Sequence, residues 1–196
     1  SRNWKLHTPL FLHIQSLWGP FSIDLFASRL NNKVPLFYSW RPDPLAMVID
    51  AFLQTLSQPL LCTFPPFLMI SRCLSKIRRE SSSVIIIMPF WLPQIWFPDL
   101  LQMCTEIPLL LPNVPHLLQN PAGGFYNLVL SGNLHLMSWK VLGIPAHSRD
   151  FRQTLSTSLI NLGPQVPLRL TNQPGTSGLA HVWDHVQIPF QQMSPL

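Results

Sequence analysis

Charge is scarce in this sequence. Only 11% of its 196 residues are Asp, Glu, Lys or Arg, against about 25% in a typical soluble domain. So little charge predicts weak solubility for the isolated chain. It does not predict disorder, because 47% of the residues are hydrophobic and can build a core. Cysteine is also rare. Cys62, Cys73 and Cys104 are odd in number and contain no Cys-x-x-Cys pair. That argues against a disulfide framework or a zinc ribbon and leaves reduced core thiols, which point to an intracellular compartment. Long apolar runs are missing too. The clean run at 84–92 is interrupted by Pro89, and the run at 107–118 is broken by Pro108, Pro112 and Pro115. Neither approaches the roughly 20 residues a bilayer-spanning helix needs. Glycine amounts to 8 residues, and no Gly-x-Gly loop occurs among them.

Proline is abundant, at 21 residues, about twice average usage. Spread from Pro9 to Pro195, the prolines predict short helices and strands. The net charge is +5, with 13 basic and 8 acidic residues. A mildly basic chain is a candidate for phosphate contacts. Arg72, Lys76, Arg78 and Arg79 form its densest basic cluster, and these four are the expected nucleic-acid-binding residues. The length suits one domain with an appendage. The first residue is Ser1, as expected of a piece of a longer polypeptide.

The hydrophobic periodicity alternates between helix and strand. Thr8 and Pro9 open a helix carrying Leu10, Ile14 and Leu17, which Gly19-Pro20 closes. Strands are expected at 21–26, 34–40 and 60–64. A helix is expected over 44–56, with Asp43 as its cap and Ala46, Ile49, Phe52 and Leu53 as its buried stripe. A second amphipathic helix is expected over 67–79, with Ile70, Leu74 and Ile77 inward and the basic residues outward. The run 84–88 reads VIIIM. It is apolar on both faces, as a central strand of a parallel sheet is. A short helix at 94–104 and a strand at 106–111 follow. The fold class is therefore α/β: a Rossmann-like, mostly parallel open sheet with flanking helices. Beyond about Asn120 polar residues rise. The expected division is an α/β domain at 1–119 and a polar, irregular and partly helical tail at 120–196. Helices at 133–142 and from a Ser148 cap through Phe151, Leu155 and Leu159 belong to that tail.

In such sheets ligands bind outside the carboxyl ends of the strands. Three segments meet that condition: Asp24 to Ser28, Asp50 to Phe52, and Phe64-Pro65-Pro66-Phe67. The order Gly19-Pro20, Asp24-Leu25-Phe26-Ala27-Ser28, Asp50, then Pro65-Pro66-Phe67 resembles the Dam-like adenine methyltransferases of phages. It resembles still more the methyltransferase-like region of DIRS-type retrotransposon polyproteins. The stretches 134–143 and 175–190, with Phe151-Arg152 and Leu155, are similar to the segment before the tyrosine recombinase of those polyproteins. The upstream neighbour implied is a reverse transcriptase with an RNase H.

The resemblance implies a catalytic loop at Phe64, Pro65, Pro66 and Phe67. In the family an Asn or Asp before Pro-Pro accepts a hydrogen bond from the amine of the target base. The first proline's carbonyl accepts another, and the following aromatic stacks on the flipped base. Phe64 stands at the Asn/Asp position, and a phenyl ring accepts no such bond. Losing one aimed polar group typically costs about 10²–10³ in rate, so the expectation is a methyltransferase-like domain without methyl transfer. The resemblance also implies S-adenosylmethionine as cofactor near Asp24, Ala27 and Asp50, and DNA or RNA and the flanking polyprotein domains as partners. Other constellations are weaker. His181 and His185 flank Asp184 at a metal-capable spacing without a His-Glu-x-x-His frame. His147, Ser148 and Asp150 are sequence neighbours, which do not make a triad. Trp91, Trp96 and Phe97 are candidates for base stacking or for the core.

Overall fold

The structure is a computed structural model, describing residues 4–28, 30–39, 41–56, 59–90, 95–160, 177–183 and 186–193. Its strands are β1 (Lys5–Leu6), β2 (Ile23–Leu25), β3 (Phe37–Ser39), β4 (Val48–Ile49), β5 (Leu61–Thr63), β6 (Ser83–Pro89), β7 (Leu109–Leu110), β8 (Leu118–Gln119), β9 (Leu136–Leu142), β10 (Ser177–Trp183) and β11 (Val186–Gln192). Its α-helices are α1 (Thr8–Trp18), α2 (Ile70–Glu80), α3 (Phe97–Met103), α4 (Asn127–Leu130) and α5 (Pro145–Ile160).

Nine strands form one sheet in the order β10-β11-β7-β9-β6-β5-β2-β3-β4. From β4 through β3, β2 and β5 to β6 every pairing is parallel. β9 then runs antiparallel to both β6 and β7. The strand order reverses between β2 and β5, which makes that junction the switch point at which open α/β sheets place ligands.

β6 shows why the sheet is covered on both faces. Val84, Ile86 and Met88 point into one hydrophobic cluster with α2, α3 and Trp139. Ile85 and Ile87 point into another with Leu10, Phe11 and Ile14 of α1. A strand apolar at every position needs both layers. The α/β class with a mostly parallel sheet is thus present, and no helix among the described residues is long and apolar enough to cross a membrane.

Several elements differ from expectation. Residues 44–56 form no α-helix. Val48 and Ile49 make the edge strand β4, and Asp50, at φ 59°, turns the chain into a 3-10 turn over Ala51–Leu53. β-branched Val48 and Ile49 favour the strand, and a left-handed residue ends any helix running through it. Residues 136–142 form β9 in the middle of the sheet instead of a helix. The change in composition near Asn120 therefore falls within the chain of a single sheet. β10 and β11 stand at the sheet edge, β11 pairing with β7. The first helix, the helix after Phe67 and the helix before Cys104 lie where the periodicity puts them, the last starting at Phe97 with Pro98 in its first turn.

Candidate functional site

The switch point is built by two short strands. Asp24 sits inside β2 and is 6% exposed. Its Oδ2 accepts a 2.8 Å hydrogen bond from the Lys33 backbone N–H. Burial pushes its carboxyl up to about 7, the Lys33 N–H and charge opposing that shift. Across from it, β5 places Cys62 and Thr63. The Thr63 hydroxyl donates to the Leu25 carbonyl at 3.1 Å. Burial, with the Asp24 charge adding to it, pushes the Cys62 thiol well above its usual range. Burial likewise lowers Lys33 to about 8, with Lys5 contributing, while its ammonium donates to Thr8 Oγ1 at 2.9 Å.

Past the strand ends the chain turns sharply. Phe26 follows β2 with φ 60°. Glycine reaches that region freely, whereas an L residue pays roughly 1–2 kcal/mol there. Phe26 is held by its burial and by Phe52, whose ring centroid lies 4.6 Å away. Ala27 is buried. After β5, Phe64 is half-buried, Pro65 is buried, and Phe67 starts a 3-10 turn leading into α2.

Asp24, Ala27 and Phe64 line one cavity. The structure thus brings together the strand-end acid Asp24 and Phe64, the aromatic residue just before Pro65-Pro66. The cavity holds about 20 Å³, room for one water. Trp4, Asn31 and Lys33 also line it, and Asn31 Nδ2 donates to the Trp4 carbonyl at 3.4 Å. Asp50 does not join them. Its Oδ1 accepts from the Phe52 N–H at 3.1 Å, capping the 3-10 turn.

Sites for ligands of cofactor size enclose about 300–1,000 Å³. Trp4, Asn31 and Lys33 are also among the residues that carry the family resemblance, but no role at the site follows for them from the sequence. Lys33 contributes a backbone N–H to Asp24, which no residue type advertises.

The chain matches no protein-family model, no curated protein and no solved structure.

The four expected nucleic-acid residues do not share a surface. Lys76 is buried, 4% exposed, and its ammonium donates to the Phe52 carbonyl at 2.9 Å and to Glu80 Oε1 at 2.6 Å. It is a packing residue, not an outward base. The Arg72 guanidinium lies 3.7 Å over the Phe52 ring. Arg78 turns toward α3, where it reaches Asp99 Oδ1 at 3.1 Å and Gln102 Oε1 at 2.7 Å. Arg79 is exposed.

The remaining constellations are placed as follows. Trp96 and Phe97 are buried, with Phe97 edge-on to Trp139 at 5.9 Å, so both serve the core. Trp91 lies outside the described residues, as do Asp184 and His185. His181 falls in β10. The buried Ser148 hydroxyl donates to the Pro145 carbonyl within α5. No group of three metal-ligating side chains occurs among the described residues.

Proposed function

We propose that this chain is the methyltransferase-like part of a DIRS-type retrotransposon polyprotein in which methyl transfer has been lost, leaving a structural or nucleic-acid-binding role. One observation carries the reading: Asp24 and Phe64 line the same small cavity at the switch point. A carboxylate or amide at position 64 could accept a base amine there, and the phenyl ring cannot.

The sheet supports the same reading. If β2, β3, β4, β5, β6, β7 and β9 are counted one to seven, the strands run 3-2-1-4-5-7-6. The dinucleotide-binding sheet runs 3-2-1-4-5-6, and a seventh antiparallel strand inserted beside the fifth is the methyltransferase variant of that arrangement. This is fold-level analogy and speaks to ancestry, not to activity.

The test is calorimetry with S-adenosylmethionine, followed by a methyl-transfer assay on DNA. The expected result for the unmodified chain is no transfer; if the rest of the site survives, Phe64→Asn raises methylation from a baseline near zero. Cofactor binding together with methylated DNA from the unmodified chain overturns the proposal and leaves an active methyltransferase with an altered loop. A docking module for a neighbouring domain is the second reading. It is favoured by the exposed apolar residues Leu45, Met47, Ile49 and Leu53 along the β4 edge.

A further inference from the structure

A second cleft, of about 510 Å³, opens at the other end of the sheet. β9 ends there at Leu142, opposite Ser83 at the start of β6, whereas Asp24 and Phe64 lie toward the carboxyl ends of the parallel strands. Its walls are the last turns of α2 and α3 and the first turns of α5. Gly143 makes the junction possible. A Cβ at that position would stand 2.2 Å from the Ile77 carbonyl oxygen, so only glycine lets β9 pass this close to α2.

Three guanidinium groups line the cleft: Arg78 from α2, and Arg149 and Arg152 from α5. No carboxylate is among the described residues that line it. Asp99 outside it anchors Arg78, and Gln102 tethers two of the three arginines, accepting from Arg78 through its side chain and from Arg152 through its carbonyl at 3.4 Å. Arg149 is exposed on the first turn of α5, beside the exposed Asp150. α5 is 16 residues long, so its amino end adds positive potential at the same place. Arginine forks match the oxygen geometry of phosphate, and the volume is that of a small-ligand site.

We infer that this arginine-lined cleft binds a phosphate group, carried on a nucleic-acid backbone. The phosphate chemistry stands on the cleft itself. Nucleic acid as its source rests on the functional reading above.

The test uses the full chain, a labelled single-stranded oligonucleotide followed by fluorescence anisotropy over a salt series, and inorganic pyrophosphate as competitor. Arg149→Gln and Arg152→Gln are each expected to weaken binding roughly 5- to 10-fold at low salt and to lower the salt slope by about one. Arg149→Lys is expected to recover part of the loss. Arg41→Gln removes the same charge at an exposed position that does not line the cleft and is expected to change affinity less than about 2-fold. Pyrophosphate should compete. Far-UV circular dichroism checks that each variant is folded. The inference is overturned if the Arg149→Gln, Arg152→Gln double variant binds both probes like the unmodified chain, or if Arg41→Gln weakens binding as much as the cleft variants do. Pyrophosphate binding lost in the double variant, with no oligonucleotide binding at all, keeps the phosphate site. It overturns nucleic acid as the source, and with it the nucleic-acid half of the functional reading.

Discussion

Asp24 is a carboxyl group in the wrong place for stability. Its folded-state value of about 7, against an ordinary 3.8, means that the folded chain holds a proton the unfolded chain has already released. Below about pH 4 both states are protonated and nothing is lost. Between pH 4 and 7 stability falls as pH rises, and above 7 the loss levels off, at no more than about 4 kcal/mol. Asp24→Asn keeps an acceptor for the Lys33 N–H and removes the titration. The variant is expected to match the unmodified chain near pH 4 and to exceed it by a few kcal/mol at pH 8, as urea unfolding across that range would show. Parallel stability curves for the two proteins would refute the assignment. Lys33, lowered to about 8, acts with the opposite sign and only at higher pH. Gly143 is the other single position on which much depends. Gly143→Ala forces Cβ against the Ile77 carbonyl, and a loss of about 2 kcal/mol or more is expected, read as a lowered Tm.

Among the elements, α2 holds its partners through an ion pair as well as an apolar face. Ile70, Cys73, Leu74 and Ile77 are buried, and so is Lys76. Glu80 accepts from Lys76 and, through Oε2, from the Leu56 N–H at 2.6 Å. Burial would raise the Glu80 carboxyl, but the hydrogen bonds from Lys76 and Leu56 and the nearby charges outweigh it and hold the group below its usual range. Its stabilising contribution is therefore present above the ordinary carboxylate value of 4.5 and lost as pH falls through the lower folded-state value. Lys76→Met is expected to cost about 2 kcal/mol at pH 7, with the difference shrinking in acid. An unchanged urea midpoint at pH 7 would mean that the pair contributes nothing.

The sequence made α2 legible because its stripe of Ile70, Leu74 and Ile77 has helical period. It hid the inward turn of Lys76, since a long cation one turn from Arg72 looks solvated and its acceptors, the Phe52 carbonyl and Glu80, depend on tertiary packing. β6 was legible from its composition alone. β9 was not read, although Met137, Trp139 and Val141 alternate with Leu136 and Ser138 at period two. The same residues also suit a helix, and only pairing with β6 decides between them. At the switch point Asp24, Ala27 and Phe64 could be placed from the strand ends. Trp4 and Asn31, which also line the cavity, were marked only as part of the resemblance, because a role at the cavity depends on tertiary packing that their local sequence does not show.

At the scale of the whole molecule the sheet is unevenly covered. The connections β2–β3 and β3–β4 contain no α-helix among the described residues, whereas parallel strands ordinarily return through one. Leu36, Leu45, Met47, Ile49 and Leu53 are left exposed beside the edge strand β4. An apolar edge with unpaired backbone groups is a template for another chain, and a surface with so little charge offers weak opposition to association. Self-association of the isolated chain through this edge is therefore expected, visible as a sedimentation coefficient that rises with concentration. Ile49→Lys puts a charge on the edge and should reduce that rise, while Leu12→Lys, on the exposed side of α1, should leave it unchanged. If Leu12→Lys dissociates the chain and Ile49→Lys does not, the sticky surface is α1 and the uncovered edge is not where a neighbouring domain docks.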